Sequence, residues 1–162
     1  MGNFKTDVID RDPHARDLQL VKDTALLEPH MLLKVEAIIA DAATAGHRLI
    51  VLETYRSQAR QAELFAEGKS KLQHVGTHGY GLACDMAFLG ADGQVNWQAD
   101  YSVLGHIARS HNLIWGGDWG RPDLEHSFRD MDHVQWCSVH DQAALFAGAW
   151  YPDANYNPYE HL

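Results

Sequence analysis

Two short stretches of this chain carry residue types that can do chemistry together. One is His78-Gly79-Tyr80-Gly81-Leu82-Ala83-Cys84-Asp85, the other Asp130-Met131-Asp132-His133-Val134-Gln135-Trp136. Period-two alternation from Leu82 onward puts Ala83, Asp85 and Ala87 on one face of a strand and Leu82, Cys84, Met86 and Phe88 on the other. A carboxylate in so apolar a strand needs a partner, because an unpaired buried charge is prohibitive. His78 stands just ahead of it, Gly79 and Gly81 let the chain bend back, and the alanines leave space above the sheet. Taken alone, the pair serves equally as a His–Asp hydrogen bond inside a core or as two ligands of a zinc ion. Catalytic zinc takes three protein ligands and keeps one position open, and the second stretch offers the third. There His133 and Gln135 face one side of a short strand, and Val134 and Trp136 face the other. Asp130 reaches the His133 side only if the preceding loop bends, and Asp132 points away from it.

The elements that must position these residues follow from the pattern around them. Pro29 opens a helix whose apolar positions are Leu32, Val35, Ile39 and Ala42, with Gly46 as its stop. Arg48 to Tyr55 reads as a buried strand, and Ser57 caps a second helix that Gly68 closes. A loop over 69–81 leads into the strand 82–89, which Gly90-Ala91-Asp92-Gly93 turns back. Asp100 caps a third helix with Val103, Leu104, Ile107 and Ala108 inward, followed by a short strand at Leu113–Trp115. After a long polar segment, His133–Trp136 is a last short strand and Ser138–Ala149 a last helix. Mixed helices and short neighbouring strands predict an α+β fold: a single domain with a small, mostly antiparallel sheet flanked by helices and the site above the sheet. Residues 1–25 form an N-terminal arm, 26–150 the domain proper and 151–162 a C-terminal tail.

The length of 162 residues, with 46% hydrophobic and 22% charged, suits one domain with a real core. Thirteen Lys+Arg against 22 Asp+Glu give a net charge of −9, which argues against nucleic acid and anionic membrane as partners. No apolar run approaches the roughly 20 residues that span a bilayer, and the first residues carry no secretory pattern. The expectation is a soluble protein made in a cytoplasm. Cys84 and Cys137 are expected to be reduced and buried. Of the eleven histidines, His126 is the rival ligand, lying in the polar loop near Asp130. His74 and His78 have helical spacing, but Gly76 argues against a helix there. His30, His47, His106, His111, His140 and His161 fit surface or cap positions.

Arg56 in Thr54-Tyr55-Arg56-Ser57, then His78-x-x-Gly81-x-Ala83-x-Asp85, then Asp130-x-x-His133, in that order, resembles a known pattern. It is that of the D-alanyl-D-alanine carboxypeptidase and L-alanyl-D-glutamate endopeptidase family of zinc peptidases, which includes many phage endolysins. The resemblance runs over about 26–136 and takes in Leu27-Glu28-Pro29, Arg56 to Gln61 and Trp115-Gly116-Gly117-Asp118-Trp119. It implies that His78, Asp85 and His133 hold Zn²⁺ and that 26–150 is the catalytic domain. It further implies Asp130 as general base, and Arg56 as the cation beside the developing oxyanion. By residue type alone, Arg56 is a solvated arginine at a strand end. Relatives acting on D-Ala-D-Ala carry Glu where Asp130 stands, so Asp130 points to L-alanyl-D-glutamate cleavage by a phage or prophage endolysin. The alternatives are a D-Ala-D-Ala carboxypeptidase or dipeptidase, and a non-catalytic zinc-binding module of the same fold. Asp130 and Arg56 argue against the module, since a structural zinc site is usually closed by a fourth ligand. Asp118 and Gln135 are candidate substrate contacts. The implied partner is a peptidoglycan stem peptide, met by a monomer made without a signal peptide and reaching the wall after holin release. The net charge of −9 repels an anionic wall and favours activity at moderate salt.

Overall fold

A computed structural model describes residues 2–120 and 128–162. Four strands, β1 (Arg48–Glu53), β2 (Ala83–Leu89), β3 (Ile114–Trp115) and β4 (His133–Gln135), form one antiparallel sheet in the order β1-β2-β4-β3. Among the described residues five α-helices accompany it: α1 (Phe4–Asp7), α2 (Pro29–Thr44), α3 (Gln58–Ala66), α4 (Ser102–Ser110) and α5 (Gln142–Phe146). The architecture is the α+β single domain that the patterning predicts. No helix among the described residues is long and apolar enough to cross a membrane.

Helix α2 starts where Pro29 suits its first turn and the Glu28 carboxylate accepts from the backbone N–H groups of His30 and Met31. Its most buried positions are Met31, Val35, Ile38 and Ala42, with Leu32 and Ile39 at the margin. The inward stripe is therefore rotated from the expected Leu32–Ile39 line, because Met31 also fills space over the sheet. These side chains pack with Cys84, Met86, Phe88, Leu104, Val134 and Trp136 in the main core. Leu82, Cys84, Met86 and Phe88 thus take the core face of β2, as alternation requires.

Both thiols are free and buried. Burial raises Cys84 well above the ordinary thiol range and pushes Cys137 up to about 12. Neither side chain is expected to be alkylated in the native protein. Intact mass after iodoacetamide should show no adduct until denaturant is added, and then two.

The expected helix over Ser138–Ala149 is much shorter. Ser138 Oγ accepts from the Asp141 N–H at 3.1 Å and donates to the Asp141 carboxylate at 2.9 Å. These bonds close a turn ahead of α5, and Gly148, with φ +69°, follows its far end. The C-terminal tail is packed: Tyr156 Oη accepts from the Ser138 N–H and donates to Asp141, while Tyr151 Oη donates to the Tyr80 carbonyl.

The N-terminal arm is woven into the domain. Ile9, Val21 and Leu26 bury Tyr55 in a second small core. The Thr54 N–H donates to the Val21 carbonyl at 2.8 Å, and Tyr55 Oη donates to the Ala15 carbonyl at 3.0 Å. The arm therefore fixes the segment that ends in Arg56.

Candidate metal centre

Asp85 and His133 are register partners on β2 and β4, the two central strands, and Glu53 lies opposite Asp85 on β1. One row across the sheet thus reads carboxylate, carboxylate, imidazole. Facing carboxylates repel, and Arg56 resolves the conflict. Its Nε and Nη2 donate to Glu53, its Nη2 also reaches Asp85 Oδ2 at 3.4 Å, and its Nη1 donates to Gln61 Oε1 at 3.2 Å. A bulge between Val51 and Glu53 sets this register and aims Glu53 at the cation. Arg60 Nε donates to the other Glu53 oxygen at 3.1 Å. The view of Arg56 as a solvated cation is therefore corrected: it is mostly buried and held by carboxylates. Burial would lower its pKa, but Glu53, Asp85 and Asp130 together raise it.

His78 reaches this row from a 3₁₀ turn over Thr77–Tyr80, which ends at Gly81 with φ +70°. A side chain there would be strained and would meet the Leu26 carbonyl at 2.7 Å. His78 Nε2 lies 3.1 Å from Asp85 Oδ1 and 3.2 Å from His133 Nδ1, and His133 Nδ1 lies 2.9 Å from the same Asp85 oxygen. Ligand atoms of the three residues all fall within 4.8 Å of one another.

The far side of each ring assigns its tautomer. His78 Nδ1 faces the Thr54 carbonyl at 3.3 Å, and His133 Nε2 faces Gln135 Oε1 at 3.0 Å. With both outer nitrogens able to donate, the inner nitrogens, which hydrogen-bond to Asp85 in the zinc-free protein, turn lone pairs to one point when zinc takes the proton's place. Ligands of a tetrahedral zinc, at about 2.0–2.1 Å each, stand roughly 3.3 Å apart. The donor set and its spacing fit that ion, and zinc is the cofactor.

Burial would raise the Asp85 carboxyl, but the facing His78 and the hydrogen bonds from both rings hold it well below the usual range. Burial would lower His133, yet the Asp85 hydrogen bond and charge, with Asp130 behind them, raise it above 6.5. In the zinc-free protein a raised group stabilises fully below its unfolded pKa and loses that contribution as pH rises through the folded one. A depressed carboxyl stabilises above its unfolded pKa and loses that contribution as pH falls through the folded one. The zinc-free protein is therefore expected to be more stable at roughly pH 4–6.5 than at pH 8.5. Zinc, which must displace the His133 proton, should reverse that order. Denaturant titrations of chelated and zinc-loaded protein at pH 6 and 8.5 check both signs.

Asp130 does sit on a bend. Its N–H donates to the Gly116 carbonyl at 3.1 Å, and its carbonyl accepts from the His133 N–H at 3.4 Å. A Cβ on Gly116 would lie 2.3 Å from the Asp130 carbonyl oxygen, so only glycine permits this approach. Asp130 lines a cavity of about 480 Å³ together with Arg56, His78, His133, Trp119 and Gln135. Asp132 lines a different pocket, beside Tyr101. Burial and the neighbouring Asp130 and Asp85 carboxylates push its carboxyl up to about 8.

The two candidate substrate contacts are placed otherwise. Asp118 is not among the cavity-lining residues; its carboxylate takes Arg109 Nε at 2.7 Å and Nη2 at 2.9 Å, tying α4 to the turn after β3. Gln135 lines the cavity but is 1% exposed. Its Oε1 accepts from His133 and Thr77, and its Nε2 donates to the Cys137 carbonyl at 2.6 Å. Protein groups thus occupy both ends of the amide, which orients His133. His126 lies outside the described residues. Glu53, Arg60 and Gln61 were missed by sequence reasoning; their signal was a carboxylate ending an apolar strand, with arginines three and seven residues on.

A family model described as D-alanyl-D-alanine carboxypeptidase matches residues 70–136, which hold the three clustered residues and Asp130. The peptidoglycan L-alanyl-D-glutamate endopeptidase CwlK of Bacillus subtilis is 30% identical over 127 residues, 67% of this chain and 72% of that protein. Among solved structures, the L-Ala D-Glu endopeptidase ChiX of Serratia marcescens aligns with a TM-score of 0.55 at 25% identity, covering 69% of this chain and 81% of that one. The vancomycin-resistance D,D-pentapeptidase VanY, solved with Zn(II), shares the fold at 16% identity, with a TM-score of 0.51 over 83% of this chain and 87% of its own. Similarity of this extent to a curated relative, joined to a cluster that fits the metal, places the chain in one family: it is a zinc metallopeptidase of peptidoglycan, a member of the D-alanyl-D-alanine carboxypeptidase and L-alanyl-D-glutamate endopeptidase family.

Proposed function

We propose that this peptidase is an L-alanyl-D-glutamate endopeptidase, with His78, Asp85 and His133 as zinc ligands, Asp130 as general base and Arg56 as oxyanion partner. The observation that carries the reading is the meeting of Asp130 with the His–Asp–His cluster in one cavity. The similarity to CwlK supports the choice of bond. Bound zinc supplies Lewis acidity, lowering the pKa of a water and polarising a carbonyl. Asp130 takes the proton of the attacking water and returns it to the leaving nitrogen. Arg56, already fixed by Glu53 and Gln61, donates to the carbonyl oxygen as it gains charge, at no cost in reorganisation. Thr54 and Gln135 keep both imidazoles in the metal-binding tautomer.

In the cell we assign it the role of a phage or prophage endolysin that meets the stem peptide after holin release. The test is mass spectrometry of soluble products from purified peptidoglycan, with a chelated sample as blank. Free peptides beginning at D-Glu are expected. Loss of terminal D-Ala alone would support the second reading, a D-Ala-D-Ala carboxypeptidase, which the description of the matching family model favours.

A further inference from the structure

The cavity around the metal cluster contradicts the charge of the chain. Thirteen lysines and arginines face 22 acids overall. Yet five of those cations, Arg56, Arg60, Lys69, Lys71 and Arg129, line this one cavity, and Asp130 is the sole carboxylate among its described lining residues. Three of the five already face carboxylates. Arg56 and Arg60 are held by Glu53, and Lys69 Nζ lies 2.8 Å from the Glu67 carboxylate. Lys71 and Arg129 have no carboxylate partner among the described residues.

Lys71 is nonetheless placed. Its Nζ stands 5.5 Å from the centre of the Phe128 ring, Phe128 meets Trp119 edge-on, and Trp119 lies 5.0 Å from the His133 ring. This chain of contacts seats the ammonium on the same wall as a metal-binding imidazole. Arg129 adjoins the base Asp130 in sequence. Leu64, Leu72 and the aromatic rings supply an apolar lining that weakens screening.

We propose that Lys71 and Arg129 form a carboxylate-binding subsite that selects peptides with a free carboxylate beside the scissile bond over the corresponding amides. The inference rests on the peptidase reading above. In a γ-linked stem peptide cut before D-Glu the D-Glu α-carboxylate is such a group; where the terminal D-Ala is removed instead, the C-terminal carboxylate takes that place. A local pair of cations lets a chain of charge −9 take an anionic peptide that its overall field repels.

The test compares kcat/KM for L-Ala-γ-D-Glu-L-Lys-D-Ala, its D-Glu α-amide and its C-terminal amide, with the zinc-loaded wild type and with Lys71→Gln and Arg129→Gln. Wild type is expected to prefer the free acid over the α-amide by about tenfold, a charge-assisted contact's worth, and the preference should shrink with added salt. Each variant should lower the acid toward the amide and leave zinc content and the amide rate unchanged. A preference that follows the C-terminal amide instead keeps the subsite and reassigns its ligand. Equal rates on all three peptides with wild type, or variants that slow all three by one factor, overturn the proposal. Failure of the bond assignment shows separately, as hydrolysis at another bond or at none. Binding of the product γ-D-Glu-L-Lys-D-Ala and of its α-amide then reads the subsite without turnover, and equal affinities for the two would overturn it.

Discussion

His133→Ala is expected to abolish stoichiometric zinc binding and to lower kcat/KM by at least about 10⁴-fold. Two ligands remain after the change, His78 and Asp85, and neither the spacing nor the charge of that pair holds zinc against dilution. The loss reaches beyond the metal. Gln135 Oε1 loses the ring N–H at 3.0 Å, and Asp85 loses one of its two imidazole partners while Arg56 stays beside it. Gln135 Oε1 keeps Thr77 and Asp85 keeps His78 and Arg56, so the fold should survive, its melting temperature lowered by the loss of hydrogen bonds worth about 1 kcal/mol each. Gln135→Leu separates orientation from ligation. It leaves all three ligands in place but frees His133 Nε2, and should cost about 10–100-fold in zinc affinity. Metal content after dialysis against a graded chelator series reads both variants. One zinc per chain retained by His133→Ala would remove His133 from the ligand set.

What was legible in the sequence, and what was not, divides along range. Alternation within a strand is local, so Asp85 opposite the core face of β2 and His133 beside Gln135 could be read directly. The bend at Asp130 was also inferable, since an extended chain could not carry it to the His133 side; its agent, the bare Gly116 carbonyl, was not. Glu53 was hidden because its role depends on strand order. Only the pairing of β1 with β2 sets it against Asp85 and makes Arg56 necessary between them. The partner of Asp118 was hidden in the same way: only the packing of α4 beside the turn after β3 brings Arg109 across to its carboxylate. The rotated face of α2 and the shortened α5 are smaller cases. In the first, Met31 and Ile38 compete with Leu32 and Ile39 for the same core. In the second, a turn closed by Ser138 and Asp141 precedes the helix and Gly148, with φ +69°, follows it.

The other large effect concerns the base. Asp130→Asn keeps the shape of the side chain and its backbone bond to Gly116, but removes the proton acceptor. The expected result is a fall in kcat of about 10²–10⁴-fold, with one zinc retained and KM little changed. Asp130→Glu should recover part of the rate, because it restores a carboxylate on a longer arm. Asp132 is the competing candidate, next to His133 in the chain and near enough to Asp130 for the two carboxyls to interact. Its geometry argues against direct action, for it lines the pocket beside Tyr101 while Asp130 lines the cavity with His78 and His133. Burial and the neighbouring Asp130 and Asp85 carboxylates push its carboxyl up to about 8. Asp132→Asn removes no group from the cavity that holds His78 and His133, so its rate should stay within about tenfold of wild type. The pair of variants decides the matter. An inactive Asp132→Asn beside a fully active Asp130→Asn would move the base to Asp132. The reverse pattern, with zinc intact in both, fixes Asp130 as the group that accepts the proton of the attacking water.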